Sequence, residues 1–539
     1  MHKIITLLSM AVIYSISYAQ ISTSVLPLIP LPKEVSRSKE EFVLTAKTKI
    51  VLPNNTFKPE VDYLNNYLQS NVHFQLAIVS SIPKKGNYIS INPSSSKTGL
   101  KEGYDLKMNK NKIILVSEDN AGIFYGIETL IQLMPLNNNS ISGDDKLSIQ
   151  CANITDSPQY QWRSMLLDCS RHFFSKEEIK KYLDYLAMYK FNIFHWHLTD
   201  DQGWRIEIKK YPLLTSIGSK RKETAIGRPR DKKFDGIPSS GFYTQDDIKE
   251  IVAYATTRHI TILPEIEMPG HSVAALAAYS QYSCTGGPFE TKTSWGISKD
   301  VYCAGNDSTF LFLQNILSEV MDLFPGKYIH IGGDECPKDR WKACSKCQKR
   351  ITDEKLSGEN ELQSYFVNRM EKYVHSKGKQ IIGWDEILEQ GLSPNATVMS
   401  WRGTKAGILA AKQKHFVVMT PTKPCYFDFY QDKDTLKEPY SFHGYNLLDA
   451  VYAFNPTPKE LTKEDATYIM GAQGCVWTEF IPDFSNVEYM ALPRMAALSE
   501  TVWTPIAKKN YSDFILRLKL HAQTLDRMKV NYAKHFLNQ

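Results

Sequence analysis

From residue 158 onward, apolar residues arrive in short runs, and most runs end in a turn followed by an amphipathic segment. Eight such runs can be counted: "RSMLLDCS" from 163, "FNIFHWHLTDD" from 191, "HITILPEIEMPGH" from 259, "YIHIGGDE" from 328, "KQIIGWDE" from 379, "ATVMSWRG" from 396, "HFVVMTPT" from 415 and "MGAQGCVWTE" from 470. Between them, "SKEEIKKYLDYLAMYK" (175–190), "TQDDIKEIVAYATTRH" (244–259) and "ENELQSYFVNRMEKYV" (359–374) place apolar residues at helical spacing. Ser175 and Thr244 stand where an N-cap belongs, and Ser175 with Glu178 makes a capping box. Strands alternating with helices predict a parallel sheet, and eight repeats predict a closed (β/α)8 barrel, an α/β fold, over 158–507.

The preceding region reads differently. Residues 20–157 are rich in short β-type runs and turn residues. "KIILVS" (112–117) predicts a strand, and "EGYDLKMN" before it can pair as a hairpin across Asn109–Asn111. "DNAGIFYGIETLIQLM" (119–134) predicts a helix capped by Asp119 or Asn120, and "LNNNSISGDDK" a loop. A small α+β domain without a cluster of reactive groups is expected here. Residues 508–539 predict a closing amphipathic helical segment.

Residues 1–19 have the pattern of an export signal: a basic start at His2 and Lys3, an apolar middle, then Ser17-Tyr18-Ala19. Its apolar run is shorter than the ~20 residues of a membrane span. The mature chain is therefore expected to be periplasmic or secreted, without a membrane span. Lys+Arg exceeds Asp+Glu by six, 64 against 58, with no long basic block, so neither nucleic acid nor an anionic membrane is indicated as a partner. Nine cysteines cannot all pair within the chain. Cys344 and Cys347 ("CSKC") have half of a metal-site spacing. No second pair accompanies them, which favours a local disulfide or plain thiols. A bridge between Cys284 and Cys303 is a separate option.

In a (β/α)8 barrel, the C-terminal strand ends carry the site. Here those ends hold Asp168, Arg171, Asp200, Asp201, Glu267, His271, Asp334, Glu335, Trp384, Asp385, Glu386, Trp401, Arg402, Trp477 and Glu479. Carboxylates and an arginine among indoles suit a sugar, whose hydroxyls take hydrogen bonds while its C–H faces pack on aromatic rings. A glycosidic bond also needs an acid for its leaving oxygen. Adjacent Asp334 and Glu335 fit poorly as a pair flanking one bond, which suggests that the nucleophile belongs to the substrate.

"LLDCSRHF" (166–173), "FHWHLTDDQGWRIEIKKYP" (194–212), "PEIEMPGH" (264–271), "IHIGGDE" (329–335), "GWDEI" (383–387), "SWRG" (400–403) and "QGCVWTE" (473–479) together resemble glycoside hydrolase family 20, the β-N-acetylhexosaminidases. The resemblance runs in order through the barrel, and the α+β domain resembles that family's accessory domain. It implies an exo-acting, retaining, substrate-assisted enzyme for glycans ending in β-linked N-acetylhexosamine, with no cofactor and no catalytic metal. Glu335 would be the general acid/base, with a raised pKa, and Asp334 would hold the acetamido N–H. Tyr426, in "CYFDFY", would donate to the acetamido oxygen, between indole walls from Trp384, Trp401 and Trp477. Arg171 would grip the 3- and 4-hydroxyls, and Asp428 and Glu479 the 4- and 6-hydroxyl side. Asp200, Glu267 and His271 would support the acid from behind, although Glu267 stands where many members have Asp. His195, His197, Asp201 and Asp385 would be structural or would support the site residues from behind, rather than touch the substrate.

Other readings stay open beside this one. A disaccharide-releasing enzyme, or one selective for a sulfated sugar, would differ in rim loops such as 275–305 and 422–444. The His195/His197 pair is what a metal-dependent hydrolase would use, although later strand ends offer no further histidines. A non-catalytic glycan binder would be expected to lack the acid or its acetamido partner. The sequence does not report oligomeric state.

Overall fold

In the computed structural model, each of the eight apolar runs is a strand. They are Trp162–Asp168, Ile193–His197, Thr261–Met268, Tyr328–Gly332, Gln380–Trp384, Thr397–Ser400, Val417–Met419 and Ile469–Val476, and they close into one parallel barrel in chain order. Closure sets the eighth strand against the first in parallel register, Gly471 opposite Trp162. Gly471 has φ +151°, and a Cβ there would lie 1.9 Å from the Trp162 carbonyl oxygen, so only glycine lets the two strands meet. The described residues are 25–539 apart from 95, 136–145, 390, 392, 394 and 443. The export signal and nearly all of the polar stretch from 136 lie outside them.

The helices begin where their caps predict. Ser175 and Thr244 each accept from the backbone three residues on, and Glu178 and Asp247 reciprocate, giving the helices Lys176–Met188 and Gln245–Thr256. Inside the barrel, Trp162, Leu166, Leu263, Ile382, Met399, Val418 and Cys475 pack as a buried apolar cluster. Burying each large side chain contributes about 1.5–3 kcal/mol, which makes the barrel a rigid platform for the loops above it.

The chain divides into two compact units. One is Tyr160–Leu498, the barrel; the other joins the described residues up to Gln159 with Ser499–Gln539. The second unit holds a seven-stranded mixed sheet in the order 34–45, 146–156, 104–109, 112–117, 88–93, 49–51, 77–79. The hairpin across Asn109–Asn111 is present, and Asp119 caps the helix Asn120–Leu133. The carboxy-terminal helix Tyr511–Arg527 joins this unit through Arg517, which pairs with both oxygens of Glu500 at 2.7 Å and donates to the Leu28 carbonyl at 2.8 Å. That fork is buried and bidentate, and it ties residues from 499 to the amino-terminal residues of the same unit. Among the described residues, no helix is long and apolar enough to cross a membrane.

Candidate active site

The fourth strand ends at Gly332, and Gly333, Asp334 and Glu335 follow it. Gly332 has φ +67°, and a Cβ on it would meet Glu267 Oε2 at 1.7 Å. The missing side chain lets a carboxyl from the third strand lie directly beneath the pair. Asp334 is mostly buried, with its side chain 16% exposed, whereas Glu335 opens to solvent at 34%. Glu335 also has left-handed backbone, φ +42°, a conformation costing about 1–2 kcal/mol that the surrounding structure must hold in place.

His271 sits behind both carboxyls. Its Nε2 lies 3.6 Å from Asp334 Oδ2 and 3.5 Å from Glu335 Oε2, and its Nδ1 is 3.2 Å from Asp200 Oδ1. Burial alone would lower its pKa, but Asp200 and Asp334 outweigh that and raise it well above the usual histidine value. The carboxylates around His271 therefore favour its protonated, imidazolium form. Asp200 is held well below the usual carboxylate range against its own burial, chiefly by Arg171, whose Nη2 is 2.7 Å away. Arg171 also donates to Gln202 (3.0 Å) and Asp168 (3.1 Å) and lies over the Trp477 ring, 5.3 Å from its centroid. Burial pushes Asp334 up to about 6, with the neighbouring carboxylates adding to burial and His271 opposing it.

Four aromatic side chains line the space beside Asp334. Trp384 and Trp477 meet at 5.7 Å, Trp477 and Tyr426 at 6.2 Å, and Tyr426 stacks with Trp401 at 6.3 Å and 15°. They come from the ends of strands five, six and eight and the loop after strand seven, as their spacing predicts. Burial raises both Asp428 and Glu479, and the Glu479 carboxylate adds to the rise at Asp428. Buried carboxylate oxygens here without a hydrogen-bond partner among the described residues include Asp334 Oδ1, Asp428 Oδ1, Glu479 Oε2 and Glu267 Oε2.

Every residue singled out from the sequence for this site lies on the same barrel rim. Sequence reasoning missed Glu265. It is fully buried and accepts from Trp384 Nε1 at 2.8 Å and from His197 Nδ1, with His330 Nδ1 at 2.7 Å and His195 Nε2 at 3.1 Å. Burial would raise its pKa, yet the three imidazoles hold it well below the usual range. Its only sequence signal was the alternation Glu265-Ile-Glu267, which aims both acids at the barrel interior. His195 and His197, the pair open to a metal reading, are both directed at this carboxylate. Glu386 was also left without a role. It accepts from Trp401 Nε1 at 2.9 Å, and burial with the nearby Asp334 raises it to about 8. Asp385 has the structural part expected, accepting from the Trp401 and Arg402 backbone at 3.0 and 3.1 Å.

Residues 160–506 match glycosyl hydrolase family 20, catalytic domain, and residues 25–157 match glycosyl hydrolase family 20, domain 2. A β-hexosaminidase of Porphyromonas gingivalis is 46% identical over 94% of this chain, which spans 64% of that protein's length. The solved structure of a family 20 exo-β-N-acetylglucosaminidase from Vibrio harveyi, in complex with N-acetylglucosamine, superposes with a TM-score of 0.83 at 29% identity, covering 94% of this chain and 78% of that one. A β-N-acetylhexosaminidase from Bacteroides fragilis gives 0.78 at 30% identity, covering 94% and 96%. With both matched regions and the rim geometry in agreement, the chain belongs to glycosyl hydrolase family 20.

Proposed function

We propose that the protein is an exo-acting, retaining β-N-acetylhexosaminidase that releases terminal β-linked N-acetylglucosamine or N-acetylgalactosamine by substrate-assisted catalysis. The observation that carries this reading is the unpartnered, buried Asp334 Oδ1 beside an aromatic box and one residue from the more exposed Glu335. A buried acceptor without a donor costs about 1–3 kcal/mol, and an acetamido N–H would satisfy it. The relatives' names and the N-acetylglucosamine complex of the Vibrio harveyi enzyme support the same substrate class.

The steps follow from the positions. Glu335, protonated, gives its proton to the glycosidic oxygen as the C1–O bond breaks. The acetamido oxygen of the substrate attacks C1, and positive charge develops on the resulting oxazolinium. Asp334 accepts from its N–H and opposes that charge, while Tyr426 donates to the acetamido oxygen. Indole walls hold the group in near-attack geometry. Glu335 then takes a proton from water as it attacks C1, the ring opens, and the β-configuration is retained. His271, as an imidazolium between the two carboxyls and Asp200, would keep Asp334 ionised although it is buried.

Arg171 uses three contacts inside the protein, and a guanidinium carries five N–H groups, so its fork keeps donors for the 3- and 4-hydroxyls. Asp428 and Glu479 would meet the 4- and 6-hydroxyl side, which blocks extension at the non-reducing end and makes the action exo. The amino-terminal signal supports export to the periplasm or the medium. Detection of the chain in osmotic-shock and culture fractions would check that part.

The deciding experiment compares hydrolysis of an aryl β-N-acetylglucosaminide with that of the matching aryl β-glucoside. Release from the first alone is expected. Equal release from both would place the nucleophile on the enzyme and overturn substrate assistance.

A further inference from the structure

Four cysteines that the sequence scatters converge at one point. Cys284 Sγ lies 3.8 Å from Cys347 Sγ, and Cys303 Sγ lies 3.8 Å from Cys344 and 3.7 Å from Cys347. All four sulfurs fall within 4.8 Å of one another, and all are free thiols. Cys303, Cys344 and Cys347 are buried and Cys284 is partly so. These separations are far from the ~2.05 Å of a disulfide. They equal the edge of a tetrahedron about 3.8 Å on a side, which four thiolates make around a zinc ion at about 2.3 Å. Of the options the sequence left for Cys344 and Cys347, a local disulfide or plain thiols, the thiols are present, and the Cys284–Cys303 bridge is not.

We infer that Cys284, Cys303, Cys344 and Cys347 form a structural zinc site that fastens the loop after the third barrel strand to the segment after the fourth. The donor set fits: soft sulfur ligands in tetrahedral array select zinc, and a fully protein-ligated site leaves no open position for chemistry. The surroundings fit as well. Cys344 is the N-cap of the helix Ser345–Asp353 and Cys347 lies in its first turn, and the Gly305 backbone N–H donates to Cys303 Sγ. Gly305 is where the two loops touch, since a Cβ there would lie 2.2 Å from the Lys346 carbonyl carbon. Four thiolates around a divalent ion carry two net negative charges. The ligating segment "WKACSKCQKR" supplies lysines and an arginine around it, and Arg340 feels Cys284 directly.

The joined loops are the ones that carry the catalytic groups. His271 opens the first and Asp334 and Glu335 open the second. Outside the thiols, the two loops share Trp341 Nε1 donating to the Tyr302 carbonyl at 2.9 Å and Arg340 pairing with Asp300 at 2.7 Å. Metal binding releases the four thiol protons and adds four bonds to this seam, so its free energy becomes stability of the seam.

The test uses the full chain, purified without chelator and also after incubation with zinc sulfate and desalting. Elemental analysis should find one zinc per chain, and X-ray absorption four sulfur neighbours at about 2.3 Å. Cys284→Ser, at the most exposed ligand, should lower retained zinc at least tenfold and lower Tm, while Cys151→Ser, remote from the cluster, should change neither. Iron in place of zinc overturns the assignment. So does a chain that takes up no zinc, or one whose non-reduced mass is lighter by two hydrogens for each disulfide among these four residues.

Discussion

The floor of the site and its mouth hold the same kinds of residue and treat them in opposite ways. Glu265, in the floor, is surrounded by His195, His197, His330 and Trp384. At the mouth, Asp334, Asp428 and Glu479 each keep a buried oxygen with no partner in the described chain. A satisfied buried charge fixes geometry, and here it fixes the Trp384 wall. Unsatisfied buried acceptors raise the free energy of the unliganded site and lower it when a donor arrives. The difference teaches that residue type alone does not mark a binding group: the floor acid is satisfied within the protein, and the three mouth acids are not. It predicts that floor substitutions act on stability and mouth substitutions on turnover.

The largest separation should come from Glu335→Gln. Loss of the general acid should cut kcat for a natural glycan by about 10²–10⁴-fold. Its side chain is the most open of the group, so Tm should stay near that of the parent. Glu265→Gln should do the reverse in kind. Breaking a buried charge cluster on one side costs about 3–5 kcal/mol, read by urea unfolding, with activity falling because Trp384 loses its anchor. If Glu265→Gln instead lowered kcat with unfolding unchanged, the carboxylate would act in the reaction and the floor–mouth contrast would fail.

Asp334→Asn comes next, at about 10²–10³-fold in kcat. This loss should persist with an activated aryl leaving group, for which Glu335 matters less. A silent Asp334→Asn would break the claim that its unpartnered oxygen waits for the acetamido N–H.

The same contrast explains what could be read from the sequence. All eight strands were legible, because a strand buried in a barrel is a short apolar run and its helix begins at a cap. The rim was legible because strand ends follow from strand positions, so Arg171, Asp334, Trp401 and Glu479 could be placed before any coordinate. Glu265 was not legible, since one more acid in "PEIEMPGH" gives no hint that three histidines from other strands surround it. The zinc cluster was hidden for a related reason. Cys303 and Cys344 stand 41 positions apart, and only the close approach of two loops brings them together.

The smallest effect is the most discriminating, because it asks one residue for two opposite trends with pH. Asp334 has its pKa raised from the ordinary 3.8 to about 6. Its proposed role needs the carboxylate, so kcat/KM for an aryl β-N-acetylglucosaminide should rise with pH along an acid limb centred near 6. Stability must run the other way. Between about 4 and 6 the folded chain holds a proton on Asp334 that the unfolded chain has released, so its contribution is full below the unfolded value and lost as pH rises through the folded one. Other groups obscure this in the whole protein. Asp200 and Glu265, held low, lose their stabilisation as pH falls, while Glu267, raised, adds to the Asp334 trend. The difference between parent and Asp334→Asn isolates it: the variant should lack the acid limb near 6 and should gain stability relative to the parent as pH rises from 4 to 7. An acid limb that survives in the variant would assign the titration to another group and remove Asp334 from the step that forms the intermediate.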